Sequence, residues 1–350
     1  MEKKRREHDS LGPVNVPGDA YWGAHTQRAA ENFDVSPYRI PVPLIRSLAL
    51  IKRAAAEANR HLGLIDADGA EAIAEASREM SCGRFDDQFP VDVFQTGSGT
   101  SWNMNVNEVL ARRAQELLDE KSRAEEEGNR IHPNDTVNRG QSSNDVIPSA
   151  INIACRMEGL VLLGEVEELS EALRKKEKEL SGVVKLGRTH LQDAVPMTLG
   201  QEIGAWREQL TRSGNTLRHA LAESRHLPIG GTAIGTGLNS SRSFARRLLW
   251  EISGETGLSF GGGRHRFAGI AARDESLALM GSLNGLAVVY MKIAQDLRLL
   301  SAGPKGGPAE IRLPALQPGS SIMPGKVNPV IPEMVIQACT FVMGKHVSVT

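Results

Sequence analysis

Residues 319–329 read GSSIMPGKVNP, which places two glycines, two serines, a lysine and an asparagine in one short stretch. Such a set can hold negative charge, and the first anion to consider is a phosphate. The spacing excludes it. A phosphate loop needs G-x-x-x-x-G-K followed by Ser or Thr. Here Gly319 and Gly325 are one residue too far apart, Val327 stands where the hydroxyl belongs, and Pro324 removes a backbone N–H. Three further segments are rich in the same residue types. QTGSGTSWNMNVNEVL (95–110) holds Thr96, Ser98, Thr100, Asn103, Asn105 and Asn107. IHPNDTVNRGQSSNDVIPSA (131–150) holds Asn134, Asp135, Asn138, Gln141, Ser142, Ser143, Asn144 and Asp145. GRTHLQDAVPMTLGQE (187–202) holds Thr189, His190, Gln192 and Asp193.

Each segment has a plainer explanation. GSG fits a turn, and QSSND fits a helix N-cap, which does not exclude ligand contact. His190 alone reads as a partly buried structural histidine, and Lys326 alone as a surface lysine. Taken together, the four segments offer short neutral donors plus one His and one Lys. Hydroxyls, amides and helix N-terminal N–H groups are what a small dicarboxylate needs for binding. A lysine supplies countercharge where negative charge develops. No metal-ligand spacing such as H-E-x-x-H occurs in these segments.

Composition narrows the class. The chain has 350 residues, 40% of them hydrophobic and 24% charged, as in ordinary soluble proteins. A net charge of −1 gives no global attraction to nucleic acid or anionic membrane, and 4% aromatics are too few for base-stacking platforms. Cys82, Cys155 and Cys339 form no C-x-x-C pair, which fits a reducing compartment. MEKKRREHDS lacks the apolar core of a secretory signal, so the expected location is the cytoplasm. The uncharged run 276–291 is shorter than the roughly 20 residues of a membrane span, and reads as a buried helix.

The elements that must position these residues are mainly helices. LIRSLALIKRAAAEAN (44–59) puts Leu48, Ile51 and Ala55 on one face, and a second helix is expected over 67–80. In 158–180, Leu162, Val166, Leu169, Leu173 and Leu180 follow the steps of a bundle seam, interrupted by Lys176. The stretch 275–300 is apolar nearly all round and must be covered on every side, most easily by a core shared between subunits. The first forty residues read as irregular structure and turns. Short strands are expected near 227–233 and 311–313.

With these segments in view, the chain resembles the fumarase/aspartase superfamily, whose signature GSSxMPxKxN stands here as GSSIMPGKVNP. The likeness runs from HDSLGPVNVPGDAYWGAHTQRAAENF (8–33) onward. TGSGT, HPND, QSSND, GGTAIGTG and MPGKVNP are similar to class II fumarases rather than to aspartate ammonia-lyases. That resemblance implies a mainly α, fumarase/aspartase-like fold with an N-terminal domain over 1–140 and a central long-helix bundle over 141–350. It implies reversible anti elimination of water from (S)-malate to give fumarate, with no cofactor, in a homotetramer whose sites are shared among three chains. An aspartate ammonia-lyase and a catalytically inactive helical scaffold are the alternatives.

The resemblance also assigns residues. Ser98, Gly99 and Thr100 would contact the substrate, with Ser142, Ser143 and Asn144 on a second side. Thr189 would hold a carboxylate beside His190, a proton-transfer residue. Ser320 would be the catalytic base. Ser321, Lys326, Val327 and Asn328 would bind and polarise the carboxylate, and Glu333 would orient the histidine. His132, Pro133, Asn134 and Asp135 would form a second anion site. A serine serves as a base only if N–H groups and a cation stabilise its alkoxide, and GSSIMPGK offers both. The sequence departs from the family in three places. It stops at GKHVSVT, where further bundle helices and a small C-terminal domain are expected. Trp102 follows GSGT where small residues are usual. GGGRHRFAGIAARD (261–274) lacks an acidic residue after its Phe.

Overall fold

The structure is a computed structural model that describes residues 4–121 and 130–350. The elements run β1 (Lys4–Asp9), β2 (Gly12–Pro17), α1 (Ala24–Asn32), α2 (Val42–His61), α3 (Ala67–Ser81), α4 (Thr100–Lys121) and α5 (Ser143–Glu179). They continue with β3 (Val184–Thr189), β4 (Gln192–Thr198), α6 (Leu199–Glu223), β5 (His226–Leu227), α7 (Arg242–Thr256) and β6 (Gly261–Gly262). The last are α8 (Arg266–Ala271), α9 (Asp274–Leu300) and α10 (Val330–Val349). The mainly α class follows directly. Among the described residues the strands pair as β1–β2, β3–β4 and β5–β6.

The chain divides into two compact units. The first joins Met1–Met157 with Ser224–Arg273, and the second joins Glu158–Glu223 with Asp274–Thr350. These units are defined by contact, whereas the division expected near residue 140 is what the resemblance implies.

In the first unit α2 packs on α3 and α7, and α3 packs on α4. The Ala- and Leu-rich face of α2 enters the core at Leu48, Ile51 and Ala55, each fully buried beside Val109, Leu110 and Phe244. Burying a side chain of leucine size contributes about 1.5–3 kcal/mol. Asp66 caps α3 by accepting from Gly69 N at 2.8 Å. Trp102 packs against this core, and its indole donates to the Val91 carbonyl at 3.3 Å.

In the second unit α9 packs on α6 and α10 around Ile203, Trp206, Ile293 and Leu300. The Trp206 indole donates to Asp296 at 2.8 Å, which satisfies a polar handle within an apolar layer. The seam of α5 faces inward as its spacing predicts. Val166 is buried, Leu162, Leu169, Leu173 and Leu180 are half-buried, and Lys176 is exposed. Gly159 lets α5 approach α6 closely, because a Cβ there would collide with Leu221. By length and composition, α5 and α9 are each long and apolar enough to cross a bilayer. Central helices of a bundle meet the same description.

Three expectations need correction. The N-terminal segment is not irregular: β1 and β2 form an antiparallel hairpin from Lys4 to Pro17. The expected strand at 311–313 is absent, and the one near 227–233 shrinks to His226–Leu227. The segment 187–202 falls largely in the β3–β4 hairpin. Pattern reading missed both hairpins because β1 is polar throughout, and β2, β3 and β4 each carry only a few alternating apolar residues, broken by Pro or Gly.

Candidate active site

The first unit joins two helix starts. Thr100 opens α4 and Ser143 opens α5, and their hydroxyl oxygens lie 2.9 Å apart. Ser98 Oγ lies 2.8 Å from Thr100 Oγ1, extending the chain of hydroxyls. Gly99 turns the backbone between them at φ +67°, a conformation that favours glycine, and a Cβ there would press on Ile147 at 3.2 Å. Ser98, Gly99, Thr100 and Ser143 thus converge where the free N–H groups of two helices favour a carboxylate.

The cap expected in QSSND is present, and it is reciprocal. Ser142 Oγ accepts from Asn144 N at 3.3 Å, and Asp145 Oδ1 accepts from Ser142 N at 3.0 Å. The other oxygen, Oδ2, accepts from Gly230 N at 2.9 Å and Thr232 N at 2.8 Å. Asn144 donates to the Ala233 carbonyl at 2.8 Å. One buried carboxylate therefore ties the start of α5 to the GGTAIGTG turn. Burial pushes the Asp145 carboxyl up to about 6, against the hydrogen bonds from Ser142, Thr232 and Gly230.

Lys52 was not singled out in the sequence. It is fully buried and donates to Asn138 Oδ1 at 2.8 Å and Gln141 Oε1 at 3.0 Å. Burial pulls its ammonium down to about 7, with Asp145 opposing. The signal was available, because Lys52 lies four residues after Leu48 and four before Ala56, within the buried stripe of α2. Asn103, Asn105 and Asn107, part of the polar inventory, are also buried. Asn103 donates to Asn138 at 3.2 Å and Asn105 to the Gln88 carbonyl at 3.0 Å, so both serve the frame.

The second unit carries the other candidates. Thr189 ends β3, and His190 and Leu191 form the two-residue turn into β4 at φ 55° and 60°. Two non-glycine residues in left-handed conformation are costly, and such strain collects at functional sites. Thr189 and His190 are exposed. The base of this hairpin is anchored. Lys185 and Arg188 both pair with Glu310, Lys185 at 2.7 Å, and Lys185 also pairs with Glu202. Burial works to raise the Glu310 carboxyl, but hydrogen bonds from Arg188 and Lys185 outweigh it and hold its pKa low.

The 319–329 loop closes on itself. Gly319 N donates to the Lys326 carbonyl at 2.8 Å, and Asn328 Nδ2 donates to the Gly319 carbonyl at 2.8 Å. A Cβ on Gly319 would lie 2.8 Å from the Lys326 oxygen, so the closure requires glycine. Inside it, Ser320 Oγ accepts from Ile322 N at 3.2 Å and Met323 N at 3.1 Å. Those two backbone groups leave no mark on side-chain identity and could not be named from sequence. Ser321, Lys326 and Val327 are exposed, Asn328 is half-buried, and Lys326 has no carboxylate partner among the described residues. Glu333 is half-buried in the first turn of α10.

HPND builds a separate feature in the first unit. His132 caps a short π-helical turn, Pro133–Val137, and its Nδ1 accepts from Asn134 N at 3.3 Å and Asp135 N at 3.1 Å. His132, Asn134 and Asp135 are exposed.

Comparison with known proteins gives one consistent answer. A family model described as Lyase matches residues 12–344. A class II fumarate hydratase from Xylella fastidiosa is 49% identical across 100% of this chain and 72% of its own length. Another from Myxococcus xanthus is 47% identical across 99% of this chain and 74% of its own. The crystal structure of class II fumarase from Schistosoma mansoni superposes with a TM-score of 0.94 at 42% identity, over 98% of this chain and 75% of that one.

Proposed function

The chain belongs to the Lyase family, and from that premise we infer that it acts as a fumarate hydratase, interconverting (S)-malate and fumarate. The observation that carries this reading is Ser320 Oγ held by two backbone N–H groups within the GSSIMPGKVNP loop. A serine hydroxyl is a poor base in water. Two N–H donors and the Lys326 cation in the same loop favour its alkoxide, which then removes the C–H proton next to the malate carboxylate. Negative charge moves into that carboxylate as an aci-carboxylate, where preorganised donors stabilise it.

The remaining roles follow from this step. Lys326 and Asn328, with Ser321 and Val327 beside them, bind and polarise the carboxylate. Ser98, Gly99, Thr100, Ser142, Ser143 and Asn144 grip the substrate at the paired helix starts. Thr189 holds a carboxylate, and His190 delivers a proton to the departing hydroxyl directly or through water. Glu333 orients the histidine. His132, Pro133, Asn134 and Asp135 form an anion site outside the reaction.

Assembly completes the site in this reading. The hydroxyl cluster belongs to one compact unit, and the hairpin tip and loop to the other. We propose a homotetramer in which three chains contribute to each site. Exposed apolar residues on α9 and α10, among them Val288, Phe341 and Val347, support a shared helical core. An N-terminal domain to about residue 140 and a central bundle beyond it are the corresponding proposed division.

Ultraviolet absorbance tests the reading, because fumarate absorbs and malate and aspartate do so negligibly. The purified chain should give a rise with (S)-malate and none with aspartate. A rise with aspartate alone would mean an ammonia-lyase, and silence with both would mean an inactive scaffold. Mass in solution tests the tetramer separately.

A further inference from the structure

The first unit contains a cavity of about 530 Å³ that the hydratase reading does not use. One wall is the start of α7, with Arg242 and Arg246 one turn apart. The other is the segment leading into α8, with Arg264, His265, Arg266 and Phe267. No carboxylate lines it. None of the four arginines has an ion-pair partner among the described residues, whereas exposed Arg60, Arg174, Arg212 and Arg218 all do. Like charges at i and i+4 on a helix destabilise it, so Arg242 and Arg246 cost stability unless an anion lies between the walls.

We propose that this cavity binds a nucleoside polyphosphate. Guanidinium groups match phosphate oxygens in a bidentate fork, and arginines on two facing walls suit a ligand with more than one phosphate. Arg266 is fixed in place, donating to the Gly230 carbonyl at 3.2 Å. His265 Nδ1 accepts from Ala268 N at 3.3 Å, which puts the proton of the neutral ring on Nε2, available as a donor. Phe267 is 48% exposed, with the His265 ring tilted against it at 5.6 Å between centroids, and its open face is one on which a base can stack. Ala245 and Leu249 add apolar lining to the cavity. The volume lies within the range of small-molecule sites. A net charge of −1 for the whole chain disfavours nucleic acid as the occupant.

Isothermal titration of the full chain with ATP, inorganic tripolyphosphate, adenosine and single-stranded oligothymidylate tests this. ATP should bind, tripolyphosphate more weakly, and adenosine not measurably. Arg246→Ala and Arg264→Ala should each weaken ATP by about tenfold or more, and Arg246→Lys should fall between, because it keeps the charge and loses the fork. Phe267→Ala should bring ATP down to the affinity of tripolyphosphate. Both arginines are exposed and unpaired, so Arg264→Ala should melt like the parent, and Arg246→Ala, which relieves the like-charge pair with Arg242, should melt no lower. No ATP binding at millimolar concentration would overturn the proposal. So would ATP binding that survives both alanine substitutions, as it would if Lys326 held it. Tripolyphosphate binding as tightly as ATP would remove the nucleoside, and tighter binding of the oligonucleotide would replace the ligand class.

Discussion

Two places in this chain gather backbone N–H groups around an oxygen. At the start of α5, Ser142, Gly230 and Thr232 donate to Asp145, which is fully buried. In the 319–329 loop, Ile322 and Met323 donate to Ser320 Oγ, which is only half-buried. The device is the same and the use is opposite. The first is filled by a carboxylate that binds segments together. The second holds a neutral hydroxyl, which leaves its capacity for negative charge unspent until a proton is removed. Similar polar letters, QSSND and GSSIMPGK, encode a cross-brace in one case and a candidate reactive group in the other. Burial and the charge of the acceptor separate them, and neither is visible in a string of residues.

The largest effect should come from the half-buried oxygen of Ser320. Ser320→Ala should lower malate turnover by about a thousandfold, with an unchanged thermal midpoint, because the side chain contributes nothing to a core. Near-normal rates would mean that the loop only binds substrate. The buried oxygen should behave in reverse. Asp145→Asn leaves one or two N–H donors facing an amide and should cost about 2–4 kcal/mol in urea unfolding. A loss of turnover without that loss of stability would erase the contrast.

Lys52 sharpens the comparison through pH. Its pKa is about 7 in the folded chain and 10.5 when solvated, so the folded state binds fewer protons between these values. Its contribution to stability is fully present above about 10.5 and is lost as pH falls through 7. The stability difference between the parent chain and Lys52→Met should therefore change in the parent's favour from pH 7 to pH 10. A flat difference would show that Lys52 is not held near neutrality. The smallest effect should be at the HPND turn. His132→Asn should leave turnover within about twofold, and a collapse in rate would make that turn part of the reacting centre.

Much of this was legible before any coordinates. The apolar stripe of α2, the seam of α5 and the all-round apolarity of α9 predict helices that are present, because periodicity reports which faces are covered. The two hairpins were not legible, since β1 is polar throughout and the few alternating apolar residues of β2, β3 and β4 are interrupted by Pro or Gly. The four polar segments were legible as places where something must be bound. Which of their members bind substrate and which brace the frame was less so. Asn105 and Asp145 resemble Asn144 and Ser143 in sequence, yet are fully buried, and only packing reveals that. Lys52 was missed for a related reason: lysine is so often exposed that its place in a buried stripe was passed over.

The bare apolar side of α9 has a consequence for the cell. In the assembly proposed above, neighbouring copies cover that side, so mass action enters the stability of each chain. A culture making little of this protein holds a larger share of half-covered copies than one making much. Melting temperature then rises with concentration, and expression level becomes a determinant of fold as well as of amount.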